Sequence, residues 1–273
     1  MNNLTILPIK EEEIDSKNKR DLHENLPDVY KAQLLSIVAP IRSGKSVLWN
    51  NLIHREEMFK DLFDNLMIIS PTIANDKTSR FTYQKYKHCC HEAYSDKLIT
   101  DLIDQQKEKM ESNQNSSYCL ILDDLCGQFS KHGKKGAAAI HFATRFRHYV
   151  NSGEPALVLC STQKYKDLHP ILRCNSTGVL ISGNIKSQKE LSAIVEDWAD
   201  SFGGKQNFLR LFEQARTTPY AFLYLKLDTK PLKAYLNFTK LIWQGVWGDT
   251  KGQDTKDDDD EQFDSLSEDT DSD

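Results

Sequence analysis

No stretch of about eighteen consecutive apolar residues occurs in this 273-residue chain, so nothing in it reads as a membrane-spanning helix. The first 28 residues carry Lys10, Glu11, Glu12, Glu13, Lys17, Lys19 and Arg20 around no apolar core, which is not the pattern of a secretory signal. Cysteine is scarce and unpaired in pattern: the six residues Cys89, Cys90, Cys119, Cys126, Cys160 and Cys174 include no C-x-x-C and lie mostly in apolar strands or beside motifs. A reducing compartment without a disulfide framework is expected. His88-Cys89-Cys90-His91 gathers metal-ligand types, but adjacent side chains wrap poorly around one tetrahedral ion, and zinc is not expected there. Neither a Ser-His-Asp set nor an activated cysteine stands out, and there is no internal repeat. Acids outnumber bases, 40 to 35, yet ten of those acids fall in residues 257–273, where no Lys or Arg occurs. The rest of the chain is therefore net basic, with an acidic tail attached. From residue 248 onward Asp, Ser, Thr and Gly dominate, and such a segment buries too little apolar surface to offset its ordering entropy.

Against these absences stands one phosphate-binding signature. Ala39-Pro40-Ile41-Arg42-Ser43-Gly44-Lys45-Ser46 follows directly on the apolar run Leu34-Leu35-Ser36-Ile37-Val38 and leads into a helical pattern from Val47. A loop in that position aims its own N–H groups and the N-terminus of the next helix at a single anion. The residues from Ala39 to Val47 are the candidate nucleotide-binding segment, with ATP as the nucleotide. Lys45 is expected to reach the β- and γ-phosphates, and the Ser46 hydroxyl to ligate Mg²⁺. Ala39 replaces the usual first glycine, one small residue for another.

A second motif supplies carboxylates. Tyr118-Cys119-Leu120-Ile121-Leu122-Asp123-Asp124 reads as a buried parallel strand with its chemistry at the carboxyl end. Asp123 is expected to hold Mg²⁺ through bound water. Asp124 falls where P-loop ATPases with an additional strand usually carry a glutamate that activates the attacking water, and it is one methylene shorter.

Elsewhere strand and helix patterns alternate, which predicts an α/β fold with a mostly parallel sheet and helices on both faces. Strands are expected at 66–70, 118–122, 156–161 and 178–182, and helices at 47–55, 96–111 and 136–149. Leu191, Ile194, Val195 and Trp198, then Phe208, Leu211 and Phe212, recur at helical spacing. Two runs at 221–227 and 234–238 flank Asp228-Thr229-Lys230-Pro231 and predict a C-terminal β-hairpin at one sheet edge. The expected organisation is a polar arm over 1–28, a P-loop ATPase domain of the additional-strand type over 29–247, and an acidic disordered tail over 248–273.

Further matches follow in order: Ser70-Pro71-Thr72 closing the second strand, Arg147-His148-Tyr149 ending a helix, Ser161-Thr162-Gln163 closing the next strand, then Pro170-Ile171-Leu172-Arg173-Cys174-Asn175-Ser176. With the two nucleotide motifs, this series resembles the genome-packaging ATPases of the FtsK/HerA group, specifically the poxvirus-type ATPase of large DNA viruses, virophages and Polinton-like elements. The resemblance spans residues 34–238 and implies ATP hydrolysis driving double-stranded DNA into a capsid. It implies that Gln163 senses the γ-phosphate and that Arg147, or Arg145 two residues earlier, serves a neighbouring subunit's nucleotide in a homo-oligomeric ring. Phe146 stands where the family pattern has glycine, and Cys174 separates Arg173 from Asn175; Arg173 and Asn175 follow a loop of the kind that carries interface residues. The implied partners are sequence-nonspecific duplex DNA and a capsid or portal vertex, and the implied location is the host cytoplasm, in a virus factory, and the virion.

Lys131-His132-Gly133-Lys134-Lys135-Gly136 is a basic loop just beyond Asp124, and Lys131, Lys134 and Lys135 are candidate DNA-phosphate contacts. Two rival functions remain open at this level: a monomeric P-loop kinase or phosphotransferase, and a nucleotide-dependent capsid-docking or partition switch that moves no DNA. Ring formation on gel filtration separates the first from the packaging reading. Nucleotide-gated partner binding without DNA-stimulated turnover favours the second.

Overall fold

The computed structural model describes residues 19–125, 129 and 136–246. Lys131, Lys134 and Lys135, Trp247 and the tail over 248–273 lie outside the described residues. Nine strands form one sheet: β1 (Gln33–Val38), β2 (Asn65–Ile69), β3 (Cys90–His91), β4 (Tyr118–Asp123), β5 (Ala156–Thr162), β6 (Gly178–Ser182), β7 (Phe222–Lys226), β8 (Lys233–Leu236) and β9 (Lys240–Gln244). The apolar runs that lack any polar alternation, β1, β4, β5 and β6, are buried at every position, as strands covered on both faces must be.

Strand order is β3-β2-β4-β5-β1-β6-β7-β8-β9. The first six strands are parallel, and β7, β8 and β9 are added antiparallel. β5 lies between β1, which leads into the candidate phosphate loop, and β4, which ends in the acids, so this is the additional-strand arrangement of the P-loop NTPase fold. Register brings the functional ends together, because Val38 pairs with Thr162 and Asp123 with Ser161.

Side chains leave β4 alternately to two apolar layers. Tyr118, Leu120 and Leu122 meet Ile99 and Leu102 of α3 (Asp96–Glu111) and Phe142 and Ala143 of α4 (Ala137–Arg145). Cys119 and Ile121 join Trp49, Leu52 and Ile53 of α1 (Lys45–His54) on the opposite face. α2 (Arg80–Lys85) and α5 (Pro170–Asn175) are short helices of six residues each, whereas α6 (Gln188–Trp198) and α7 (Gly204–Arg216) cover the β6–β9 half through Ile194, Phe208, Leu211 and Phe212.

The helix expected over 136–149 ends as α-helix at Arg145 and continues as a 3-10 turn over Phe146–His148. The Phe146 carbonyl accepts both the buried Tyr118 hydroxyl, at 2.6 Å, and the Tyr149 N–H, at 3.3 Å, the i+3 bond of the tighter turn. The expected hairpin forms as β7 and β8 and gains a third strand, β9, whose Trp243 packs on Phe202 with ring centroids 5.0 Å apart. Residues 19–28 of the polar arm fold onto the domain. Arg20 donates to the Lys60 carbonyl at 2.7 Å and to that of Met58, and Lys226 Nζ donates to the Glu24 and Leu26 carbonyls at 2.8 Å each. Burial pushes the Lys226 ammonium below its ordinary range.

Gly183 fixes how α7 meets the end of β6. Its N–H donates to the Ala221 carbonyl at 3.0 Å, and a Cβ there would lie 2.2 Å from the Ala215 carbonyl oxygen. That oxygen belongs to helix backbone and cannot rotate away. Gly183→Ala is therefore expected to cost about 1–3 kcal/mol, read as a fall of several degrees in Tm with the cooperative transition kept. An unchanged Tm would show that α7 shifts without cost.

Candidate functional site

The site assembles where β1, β2, β4 and β5 end. After Val38 the chain is tied to the tip of β5, since the Ala39 N–H donates to the Thr162 carbonyl at 3.0 Å. The loop then closes on itself, Ser43 N–H to the Pro40 carbonyl at 3.2 Å, and enters α1 through Gly44 at φ 85°. That left-handed conformation is the one glycine adopts without strain, so the single glycine kept in the motif sits where the turn requires it. Lys45 is the first residue of α1, which places its ammonium at the helix N-terminus.

Asp123, the last residue of β4, is buried. It accepts hydrogen bonds from Ser70 at the end of β2, at 2.8 Å, and from Ser161 of β5. Lys45 Nζ is 3.6 Å from Asp123 Oδ1 and pairs more closely with Asp124 Oδ1. Asp124 has turned out of the strand at φ 54°, an unusual conformation for a residue with a Cβ, and its N–H is held by the Ser161 carbonyl at 3.0 Å. Gln163 Nε2 donates to Asp124 Oδ2 at 3.2 Å. Lys45, Asp123, Asp124 and Gln163 thus form one cluster. The left-handed turn brings it about by swinging Asp124 toward the loop, away from the side of the strand.

Sequence reasoning alone misses Ser70 and Ser161 as partners of the acid. Their signal is a small hydroxyl closing each of two neighbouring strands, beside a strand that closes in Asp.

The cluster fits a polyphosphate and its cation. The Lys45 side chain is only 9% exposed, and its ammonium, though ion-paired, makes no well-directed hydrogen bond. The Ser46 hydroxyl has no hydrogen-bond partner among the described residues, while its carbonyl accepts from Asn50 at 2.7 Å. A hydroxyl and a carboxylate are hard oxygen donors of the kind Mg²⁺ takes. Ile41 and Val47 project to the surface, 72% and 50% exposed, and Arg42 is exposed at φ 61°.

Arg145 and Arg147 do not join this cluster. α4 runs back from the acid end of β4 to its amino end, where Phe146 meets Tyr118, roughly 16 Å from Asp123 along an extended strand. Both arginines are exposed, Arg145 lying 3.4 Å from His141 Nε2 and the Arg147 guanidinium making no hydrogen bond or ion pair with any described residue. Arg173 is engaged within the fold. It pairs with Asp197 Oδ2 at 2.6 Å and lies over the Tyr165 ring, whose hydroxyl also donates to Asp197 and accepts from Trp198 Nε1. Cys90 and His91 form the edge strand β3, and burial pushes the Cys90 thiol up to about 11. No described helix is long and apolar enough to cross a membrane.

The fold is that of P-loop NTPases, and solved structures with this fold include genome-packaging NTPases. One is the genome packaging NTPase B204 from Sulfolobus turreted icosahedral virus 2. Its complex with sulfate is 18% identical with TM-score 0.52, over 76% of this chain and 96% of that one. Its complex with ATP-gammaS is 19% identical with TM-score 0.51, over 76% and 98%. No protein-family model and no curated protein matches the chain. The likeness to B204 is one of fold.

Proposed function

We propose that this chain is an ATPase that translocates double-stranded DNA into a viral capsid, working as a homo-oligomeric ring in the infected cell. The observation that carries the reading is the convergence of Lys45, Asp123, Asp124 and Gln163 at the ends of β1, β4 and β5, in a fold shared with a genome-packaging NTPase. Lys45 binds the terminal phosphates, and doing so exchanges its carboxylate partner for a phosphate one. Asp124, relieved of the ammonium, is then available to accept a proton from the attacking water. Gln163, bonded to Asp124, is the group whose hydrogen bond changes when the γ-phosphate leaves. Ser46 and Asp123 would hold Mg²⁺, which when bound neutralises charge on the transferred phosphoryl group. Ser70 and Ser161 keep Asp123 oriented for that task.

The decisive experiment is ATP turnover of the purified chain with and without long duplex DNA. Translocation requires stimulation by the duplex, and equal rates in both conditions would favour the switch or phosphotransferase readings. Replacing Lys131, Lys134 and Lys135 together by Ala is expected to weaken that stimulation much more than basal turnover. It should also flatten the dependence of DNA affinity on salt, by about one counterion for each phosphate that a lysine no longer neutralises. An unchanged slope would remove this loop from the DNA path.

A further inference from the structure

We propose that Tyr220 is the platform on which the base of the bound nucleotide stacks, an inference that rests on the phosphate site described above. The ring lies beside the phosphate loop, for a Cβ placed on Gly44 would be 3.9 Å from Tyr220 Cδ1, ordinary contact distance. It is 73% exposed, unlike Tyr118, Tyr165 and Tyr224 of the same domain, which are buried. Among the described residues it makes no hydrogen bond through its side chain and no ring contact. Ile41 and Val47 add exposed apolar surface on the loop and the first turn of α1.

Topology gives the direction. Asp123 and Asp124 follow β4, two strands from β1 on one side, whereas Tyr220 precedes β7, two strands from β1 on the other. Phe222, the first residue of β7, pairs with Ser182, the last of β6, so Tyr220 stands at the same end of the sheet as the phosphate loop. A nucleotide whose terminal phosphates lie toward Asp124 therefore extends its base away from the carboxylates, toward Tyr220.

The backbone that carries the ring is held in place at a cost. Tyr220 has φ 56°, a backbone conformation that bulky residues rarely adopt unless their surroundings impose it. Both flanks of the loop are tied down: Thr217 and Thr218 hydroxyls donate to helix α7 carbonyls, the Ala221 N–H donates to the Thr218 carbonyl at 3.2 Å, and the Ala221 carbonyl accepts from Gly183. An exposed aromatic carried on a backbone fixed in this way has less freedom to lose when a ligand arrives, which favours stacking.

The test compares Mg·ATP with Mg·tripolyphosphate, which has the phosphates and no base, as ligands of the full chain and of Tyr220→Ala, Tyr220→Phe and Lys45→Ala. Tyr220→Ala should weaken ATP about ten- to a hundredfold and leave tripolyphosphate within about twofold, while Tyr220→Phe keeps both affinities. Equal weakening of the two ligands by Tyr220→Ala would mean that the residue only shapes the phosphate loop, and no weakening of either would mean that the base lies elsewhere. Both outcomes overturn the proposal. Lys45→Ala should abolish binding of both ligands. If it does not, the phosphate reading itself fails, whatever Tyr220 does.

Discussion

Asp124→Asn is expected to leave ATP bound and to lower its hydrolysis by about 10²–10⁴-fold, whereas Lys45→Ala is expected to abolish productive nucleotide binding. The difference follows from which atom each residue presents. Asparagine keeps the shape of Asp124 and its contact with Gln163 but has no carboxylate to accept a proton from water. It also removes the closer of the two carboxylates that hold Lys45, leaving Asp123 Oδ1 at 3.6 Å as the remaining partner. The lysine is then more available to phosphate, so ATP affinity should be kept or raised. Alanine at position 45 instead removes the cation at the head of α1 and leaves two neighbouring carboxylates to repel the phosphates. Equilibrium binding and single-turnover hydrolysis, measured on both variants, separate these effects. Near wild-type hydrolysis by Asp124→Asn in the assembled state would show that another group activates the water.

Much of this arrangement is legible in the sequence, and the reasons are specific. Runs such as Tyr118-Cys119-Leu120-Ile121-Leu122 have no polar alternation because both faces of the sheet are covered, and that same coverage makes them readable as central parallel strands. The strand, loop and helix around Gly44-Lys45-Ser46 are recognisable because glycine, lysine and serine stand at fixed spacing between an apolar run and a helical pattern. What the sequence hides is set by tertiary contacts. β3 is two residues long and forms only because it lies against Ile68 and Ile69 at a sheet edge. β9 is half exposed and becomes a strand by pairing with β8, across an irregularity at Ala234 and Tyr235. The Ser70–Asp123–Ser161 bonds join residues 38 and 53 positions apart, and only the strand order brings them together. The left-handed turn at Asp124 has only a weak sequence mark, since aspartate tolerates positive φ better than most residues but nothing in the Asp-Asp pair says which of the two turns.

Arg147→Ala is expected to lose most ATP turnover while keeping nucleotide affinity, and the loss should pass between subunits. An arginine that supplies charge to a neighbour's phosphoryl transfer contributes about 10³–10⁵-fold to kcat where it has been measured. Within one subunit Arg147 sits at the amino end of β4, roughly 16 Å from Asp123, and the buried bond from Tyr118 to the Phe146 carbonyl anchors it there. A side chain cannot span that distance, so any contribution to hydrolysis has to be made to another copy of the chain. The exposed guanidinium has no described partner to satisfy it within its own fold. Arg145 two residues earlier already lies near His141, which makes Arg145→Ala the informative comparison, with the smaller loss expected. Mixing decides the matter. Arg147→Ala protein combined with Asp124→Asn protein creates interfaces at which an intact Arg147 faces an intact Asp124, and turnover should partly return at those interfaces. Mixed rings, verified by mass, that recover no activity would rule out action in trans and leave Arg147 as a surface cation favoured by the end of its helix.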